Sequence, residues 1–406
     1  MDAIKSSLLR IVGYQLFGGE RPKANADALK ILDEAKAQTV FTSVFPFLQE
    51  DVLKNHPESF AELQEDYFRN LILNTNNLQE HRELHELMTS RDIPYVSIKG
   101  LSSAYYYPDS SLRDMGDVDF LVNINDFEKA KNAVLSAGFA VDHGDDEDSI
   151  HIAFTRDPMS VWEQHRSVNG IPSGVIGELI EKDIKGAIGT ARSVEYEGSV
   201  CMIPDKYHHG LIILLHMASH MTGEGIGLRH LCDWAVFVNS FTDDEFVVMF
   251  ADKLRSFGLW KYAQIMTSVC EEYLGIKHNR WAVNPQIDAN LMSGVIEDIL
   301  SGGNFGKKDL NRYREIKYIS NRGERTVDDK NVVAQVARTL NQKVYSDYRF
   351  IDKHHILLPA GWIAEGVKYT GLLISGKRKS KGTSAMLKEA AKRKDIYSQM
   401  DLFESK

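Results

Sequence analysis

A Gly-Asp-Val-Asp run at residues 116–119, embedded among strand-forming residues, constrains the fold of this chain more than any other segment. Val118, Phe120, Leu121 and Val122 favour an extended strand directed into a core. Side chains alternate along a strand, so Asp117 and Asp119 project to the same side. Two like charges that close repel unless a cation lies between them, and a divalent metal ion is the simplest candidate. Gly116 is expected to let the backbone turn tightly just before the pair.

The residues ahead of the pair add phosphate chemistry. An apolar run at 95–98 leads into Lys99-Gly100 and then Ser102 and Ser103, which reads as a strand entering a helix start. Backbone N–H groups at such a start attract phosphate. Lys99 adds a point charge, and Arg113 adds a planar fork suited to phosphate oxygens. Further on, residues 151–155 and 161–166 read as two short strands separated by Arg156-Asp157-Pro158. Period 2 puts Glu163 and His165 on one face of the second strand. Glu163 is therefore a candidate third acid, in competition with Glu178, Glu181 and the acidic run 145–148.

Lys99, Gly100, Tyr106, Tyr107, Pro108, Asp109, Arg113, Gly116, Asp117, Val118 and Asp119 together resemble the motif of the uncharacterised nucleotidyltransferases of the DNA polymerase beta superfamily. Those proteins carry Lys-Gly, a Tyr-rich helix ending in Tyr-Pro-Asp, and Arg-x-x-Gly-Asp-(Ile/Val)-Asp followed by aliphatic residues. The match is dense over residues 95–122 and thinner over 60–239. The superfamily usually has Gly-Ser where this chain has Gly100-Leu101, so Ser102 or Ser103 is the substitute hydroxyl.

The resemblance implies an α+β fold: a polymerase-beta-like core of a short mixed sheet with helices, flanked by helical regions. It implies transfer of a nucleoside monophosphate from an NTP such as ATP to a hydroxyl or other nucleophile, with pyrophosphate leaving. Asp117, Asp119 and Glu163 would be the catalytic, metal-binding acids, holding Mg²⁺ or Mn²⁺ ions; the family typically has an acid two residues before a His here, as Glu163 stands to His165. Lys99, Gly100, Ser102, Arg113 and Gly116 would bind the nucleotide. His165, His220, Arg229 and Asp233 would line the cleft opposite the metal. The acceptor would be a small molecule or a protein.

His216 and His220 sit four residues apart in an apolar helical run, which suits metal ligation from one helix face. The run has neither the Glu of a zincin nor an adjacent His-Asp pair, so packed, hydrogen-bonded imidazoles near Asp233 are the plainer reading.

Length and charge set outer bounds. A chain of 406 residues exceeds what one core usually supports. Four segments are expected: a helical region over 1–92, a nucleotidyltransferase core over 93–203, a helical domain over 204–375 and a basic tail or helix over 376–406. A net charge of -9 argues against a general nucleic-acid surface, which needs a basic stripe. Cys201, Cys232 and Cys270 are far apart and suggest neither a disulfide framework nor a zinc knuckle. No apolar run reaches the roughly 18 to 20 residues that span a bilayer, and residues 8–17 lack the features of a signal peptide, so the expected location is cytoplasmic.

Three rivals remain. A glycosyltransferase also uses Asp-x-Asp, but needs a longer nucleotide-binding α/β domain before it. An inactive nucleotide-binding regulator would keep the phosphate site and lose the third acid. A purely structural protein has no reason to gather Lys99, Arg113, Asp117 and Asp119 around one cleft.

Overall fold

The computed structural model describes residues 1–145, 149–157, 160–306, 308 and 383–404. The chain divides into two compact units, residues 1–309 with 399–406, and residues 310–398. In the second unit the described element is a helix, Thr383–Ser398, within the expected basic tail or helix over 376–406. Residues 376–382 of that tail lie outside the described residues, as does the stretch 309–375 of the expected helical domain.

The first unit opens with four helices: α1 Ala3–Phe17, α2 Ala28–Ala37, α3 Phe41–Asn55 and α4 Pro57–Thr89. Asp27 caps α2 by accepting the Lys30 N–H at 3.1 Å, as Ser, Thr, Asp and Asn do at helix starts. The long α4 ends where Ile93 and Pro94 turn the chain into the first strand, as the sequence implies.

Five strands then form one mixed sheet: β1 Tyr95–Ser97, β2 Val118–Val122, β3 Ala140–His143, β4 His151–Asp157 and β5 Ser160–His165, in the order β1-β2-β5-β4-β3. β2 and β5 run parallel, and the other neighbours are antiparallel. Between β1 and β2 lies the short helix α5, Gly100–Ala104, and after β2 comes α6, Phe127–Ser136, ending before Gly138. Val118, Phe120, Val122, Ile152, Phe154 and Trp162 pack with α4 and α6 into a core on one face of the sheet. The apolar side of β2 is thus spent on packing, which turns Asp119 to the other face.

A helix α7, Val175–Ile184, precedes a hairpin that the sequence reading missed, β6 Arg192–Tyr196 with β7 Ser199–Ile203. Glu197 and Gly198 at its tip have φ of 50° and 71°, the left-handed pair that matches the twist of a two-residue hairpin loop. The remainder of the unit is helical: α8 Lys206–Thr222, α9 Leu228–Asn239, α10 Asp243–Ser256, α11 Trp260–Leu274 and α12 Ala289–Gly302. Trp234, Phe237, Phe241, Phe246 and Phe250 are fully buried between α9 and α10. Gln38, buried at the end of α2, donates to Leu300 O and accepts from Leu228 N, each at 3.0 Å, and so fixes the start of α9. No helix among the described residues is long and apolar enough to cross a membrane.

Candidate active site

The polar face of the sheet opens on a cavity of about 450 Å³, closed on the opposite side by α8 and α9. Register dictates what meets there. In the parallel β2–β5 pair, Asp119 lies directly beside Glu163, and Asp117 enters from the turn before β2. Asp117, Asp119 and Glu163 all line the cavity, but the metal-ligating atoms that converge closely among the described residues are those of His151, Glu163 and His165.

Their charges are handled unequally. Burial would raise Asp119, but the Lys99 ammonium at 2.6 Å and the His165 Nε2 at 2.8 Å hold it well below the ordinary carboxylate range. Asp117 has no cation at such a distance among the described residues, and Lys99 and Arg229 lower it only weakly. Loss of bulk water in the cleft, with the negative charges of Asp119 and Glu163, pushes its carboxyl up to about 6. Glu163 presents Oε2 to His165 at 3.3 Å and to Lys99 at 4.0 Å, and Oε1 to His151 at 3.7 Å.

Lys99 occupies strained backbone, with φ 57° and ψ −134°, between β1 and α5. Non-glycine residues rarely adopt this region, and such strain is found where surrounding structure holds a functional group in place. Gly100 and Ser103 beside it line the cavity. Ser102 does not fill the expected phosphate role: its buried hydroxyl donates to Ser97 O at 2.5 Å, which leaves Ser103 as the cavity-facing hydroxyl.

Arg113 also departs from expectation. Instead of a free phosphate clamp it forms a buried two-bond pair with Asp233 of α9, at 2.8 and 2.9 Å, and Tyr107 donates to the same carboxylate at 2.8 Å. Burial opposes the charge on Arg113, yet Asp233 holds the guanidinium firmly protonated. Both partners still border the cavity. Asp233 therefore ties α9 to the loop before Asp117, where the sequence reading assigned it to the cleft wall. Gly116 is not a strained turn either, since its φ is not positive and a Cβ there would meet nothing within 4 Å. The loop is held from α4. Asn74 donates to Arg113 O at 3.0 Å and accepts from Met115 N at 2.9 Å, while Asn77 donates to Gly116 O at 2.6 Å. Their three-residue spacing puts both on one helix face, a signal present in the sequence but indistinguishable there from ordinary helix polarity.

The opposite wall carries Ile212, Ile213, His216, Met217 and His220 from α8, with Arg229 and His230 from α9. The rings of His216 and His220 stand 4.4 Å apart and those of His216 and His230 5.3 Å apart. Burial holds His220 down at about 4 and His216 and His230 well below the ordinary range, so these imidazoles are neutral and Arg229 is the charged group of this wall. Arg229 donates to Asp114 O at 3.0 Å, and its Nε is buried with no partner among the described residues. Asp114 was not foreseen: buried and bonded to the Thr42 hydroxyl, it is raised to about 6 by burial, less the pull of Arg229. His165 is wholly buried behind Asp119 and does not line the cavity.

A model of the uncharacterised nucleotidyltransferases matches residues 24–275, more than half of the chain and every strand described above. The chain belongs to this family. The matched span runs from just before α2 through α11, so it includes the three acids, Lys99 and both histidine-bearing helices of the far wall. A search of curated proteins finds no match.

Proposed function

We propose that this nucleotidyltransferase-family protein transfers a nucleoside monophosphate from an NTP to a nucleophile on a small molecule or protein, releasing pyrophosphate, on a polymerase-beta-type core. One observation carries the reading: Asp119 and Glu163 stand side by side on parallel strands, with Asp117 joining them in one cavity beside Lys99. Three carboxylates make a hard oxygen set of the kind that holds Mg²⁺ or Mn²⁺. The Asp117 carboxyl is raised first by burial and then by the charges of Asp119 and Glu163, and a dication beside it would offset both. When bound, such ions neutralise phosphate charge and orient the attacking and leaving oxygens.

The chain's own residues do the rest. Lys99 directs an ammonium toward the phosphates, with Gly100 and Ser103 at the same wall. Arg229, with a buried Nε to spare, takes the clamp role that Arg113 does not fill. Glu163 binds a metal ion or takes the acceptor's proton. The neutral, partly apolar wall of Ile212, Ile213, His216 and Met217 suits a base or another flat group better than a charged one. Chemistry of this kind is mainly positioning and charge neutralisation. The glycosyltransferase alternative is disfavoured by the single short strand, β1, that precedes the acids among the described residues.

Incubation of the purified protein with each α-labelled NTP, Mg²⁺ and a cell extract tests the reaction. Label appearing in one class of acceptor, and not with Asp119→Asn, supports it; label in none of the incubations contradicts it.

A further inference from the structure

Beside the two aspartates lies a cluster with different chemistry. Among the described residues, the metal-ligating side chains that converge are His151, Glu163 and His165, whose ligand atoms all fall within 4.8 Å of one another. They come from adjacent antiparallel strands in register, His151 opposite His165 and Ala153 opposite Glu163, so the sheet itself sets their spacing. Ligands about 2.0–2.2 Å from one ion stand about 3.0–3.5 Å apart. Here the separations to Glu163 are 3.3 Å from His165 and 3.7 Å from His151, and the two rings are 5.0 Å apart. Small rotations close that gap.

Charge points the same way. Lys99 is committed to Asp119 at 2.6 Å and reaches Glu163 only at 4.0 Å, so the Glu163 carboxylate faces two imidazoles rather than a close ammonium. His151 lines the cavity and gives an ion a way in. We propose that His151, Glu163 and His165 form a nitrogen-containing cation site that takes a first-row transition-metal dication, Mn²⁺ or Co²⁺, in preference to Mg²⁺. First-row transition-metal dications accept imidazole nitrogen beside a carboxylate more readily than Mg²⁺, which selects oxygen, and Co²⁺ binds such a set more tightly than Mn²⁺. The proposal rests on the nucleotidyltransferase reading only in placing this ion next to Asp117 and Asp119. His165 Nε2 lies 2.8 Å from Asp119 Oδ1. Ligation through Nε2 requires the ring proton on Nδ1, which has no partner among the described residues.

The full-length protein, stripped with chelator and loaded with one equivalent of Mn²⁺, is examined by electron spin echo spectroscopy. The expected result is modulation from ¹⁴N of two imidazoles, reduced to one in His151→Ala, and Co²⁺ affinity in that variant weakened at least tenfold. Mn²⁺ bound without nitrogen coupling, or no binding of Mn²⁺ or Co²⁺, overturns the proposal; the wild-type spectrum decides this even if a variant misfolds. Nitrogen-ligated Mn²⁺ in a protein that transfers no nucleotide upholds the site and removes the transferase reading. Transfer supported by an all-oxygen ion does the reverse.

Discussion

Arg113 and Asp233, 120 residues apart in the chain, meet in a two-bond buried ion pair that joins the loop before the acids to α9. Removing one partner of such a pair leaves an uncompensated buried charge, which typically costs about 3–5 kcal/mol. Asp233→Ala is therefore expected to lower unfolding stability by about that amount, and the paired change Arg113→Met with Asp233→Leu by less. Urea unfolding of the three proteins checks this. A single variant as stable as wild type would show that the pair does not hold the loop.

Lys99 is expected to act on ligand rather than on fold. Lys99→Ala should weaken NTP binding by about 1.5–3 kcal/mol, the range for hydrogen bonds involving charged groups, while circular dichroism stays native. Isothermal titration calorimetry measures it, and unchanged affinity would remove Lys99 from the phosphate site.

Asp117 gives a pH dependence with a definite sign. Its folded carboxyl, raised to about 6, binds a proton more tightly than in the unfolded chain, so its favourable contribution is present at low pH and is lost as pH rises through that value. Asp117→Asn should therefore raise the melting temperature in chelator more at pH 7.5 than at pH 4.5. Equal shifts at the two pH values would mean that the folded carboxyl is not raised by burial and by Asp119 and Glu163.

Asn74 holds the same loop through two buried hydrogen bonds, to Arg113 O and from Met115 N. Leaving those backbone groups unpaired should cost about 1–3 kcal/mol in Asn74→Ala and slow any transfer by displacing Asp117. Chemical denaturation with a parallel turnover assay reads both.

Much of this site was legible because strand periodicity is local. Asp119 on the polar face of β2, and Glu163 with His165 on another strand, follow from period 2 alone, and the sheet then brings Asp119 beside Glu163, while Asp117 falls just before the strand. The long α4, its stop before β1, and α6 follow from helical spacing and flanking Gly and Pro. What could not be read was the destination of polar groups whose partners are remote in sequence. Arg113 reads as a phosphate clamp until the fold supplies Asp233, and Ser102 as a ligand hydroxyl until Ser97 O claims it. His151 looked like a strand residue because its closeness to Glu163 depends on the β4–β5 register, which no single segment encodes. The β6–β7 hairpin escaped because its turn residues, Glu197 and Gly198, are not among the strongest hairpin pairs.

The central claim is that the cavity between the sheet and α8–α9 takes an NTP through its metal. Thermal-shift titration with ATP, CTP, GTP, UTP and UDP-glucose, with and without Mg²⁺ or Mn²⁺, tests it most directly. Binding that favours an NTP over its monophosphate, requires the dication, and disappears in Asp119→Asn is the predicted result, with stabilisation of about 2.7 kcal/mol at a ligand concentration 100 times Kd. Stabilisation by UDP-glucose in place of every NTP, or by none of the nucleotides, would contradict it.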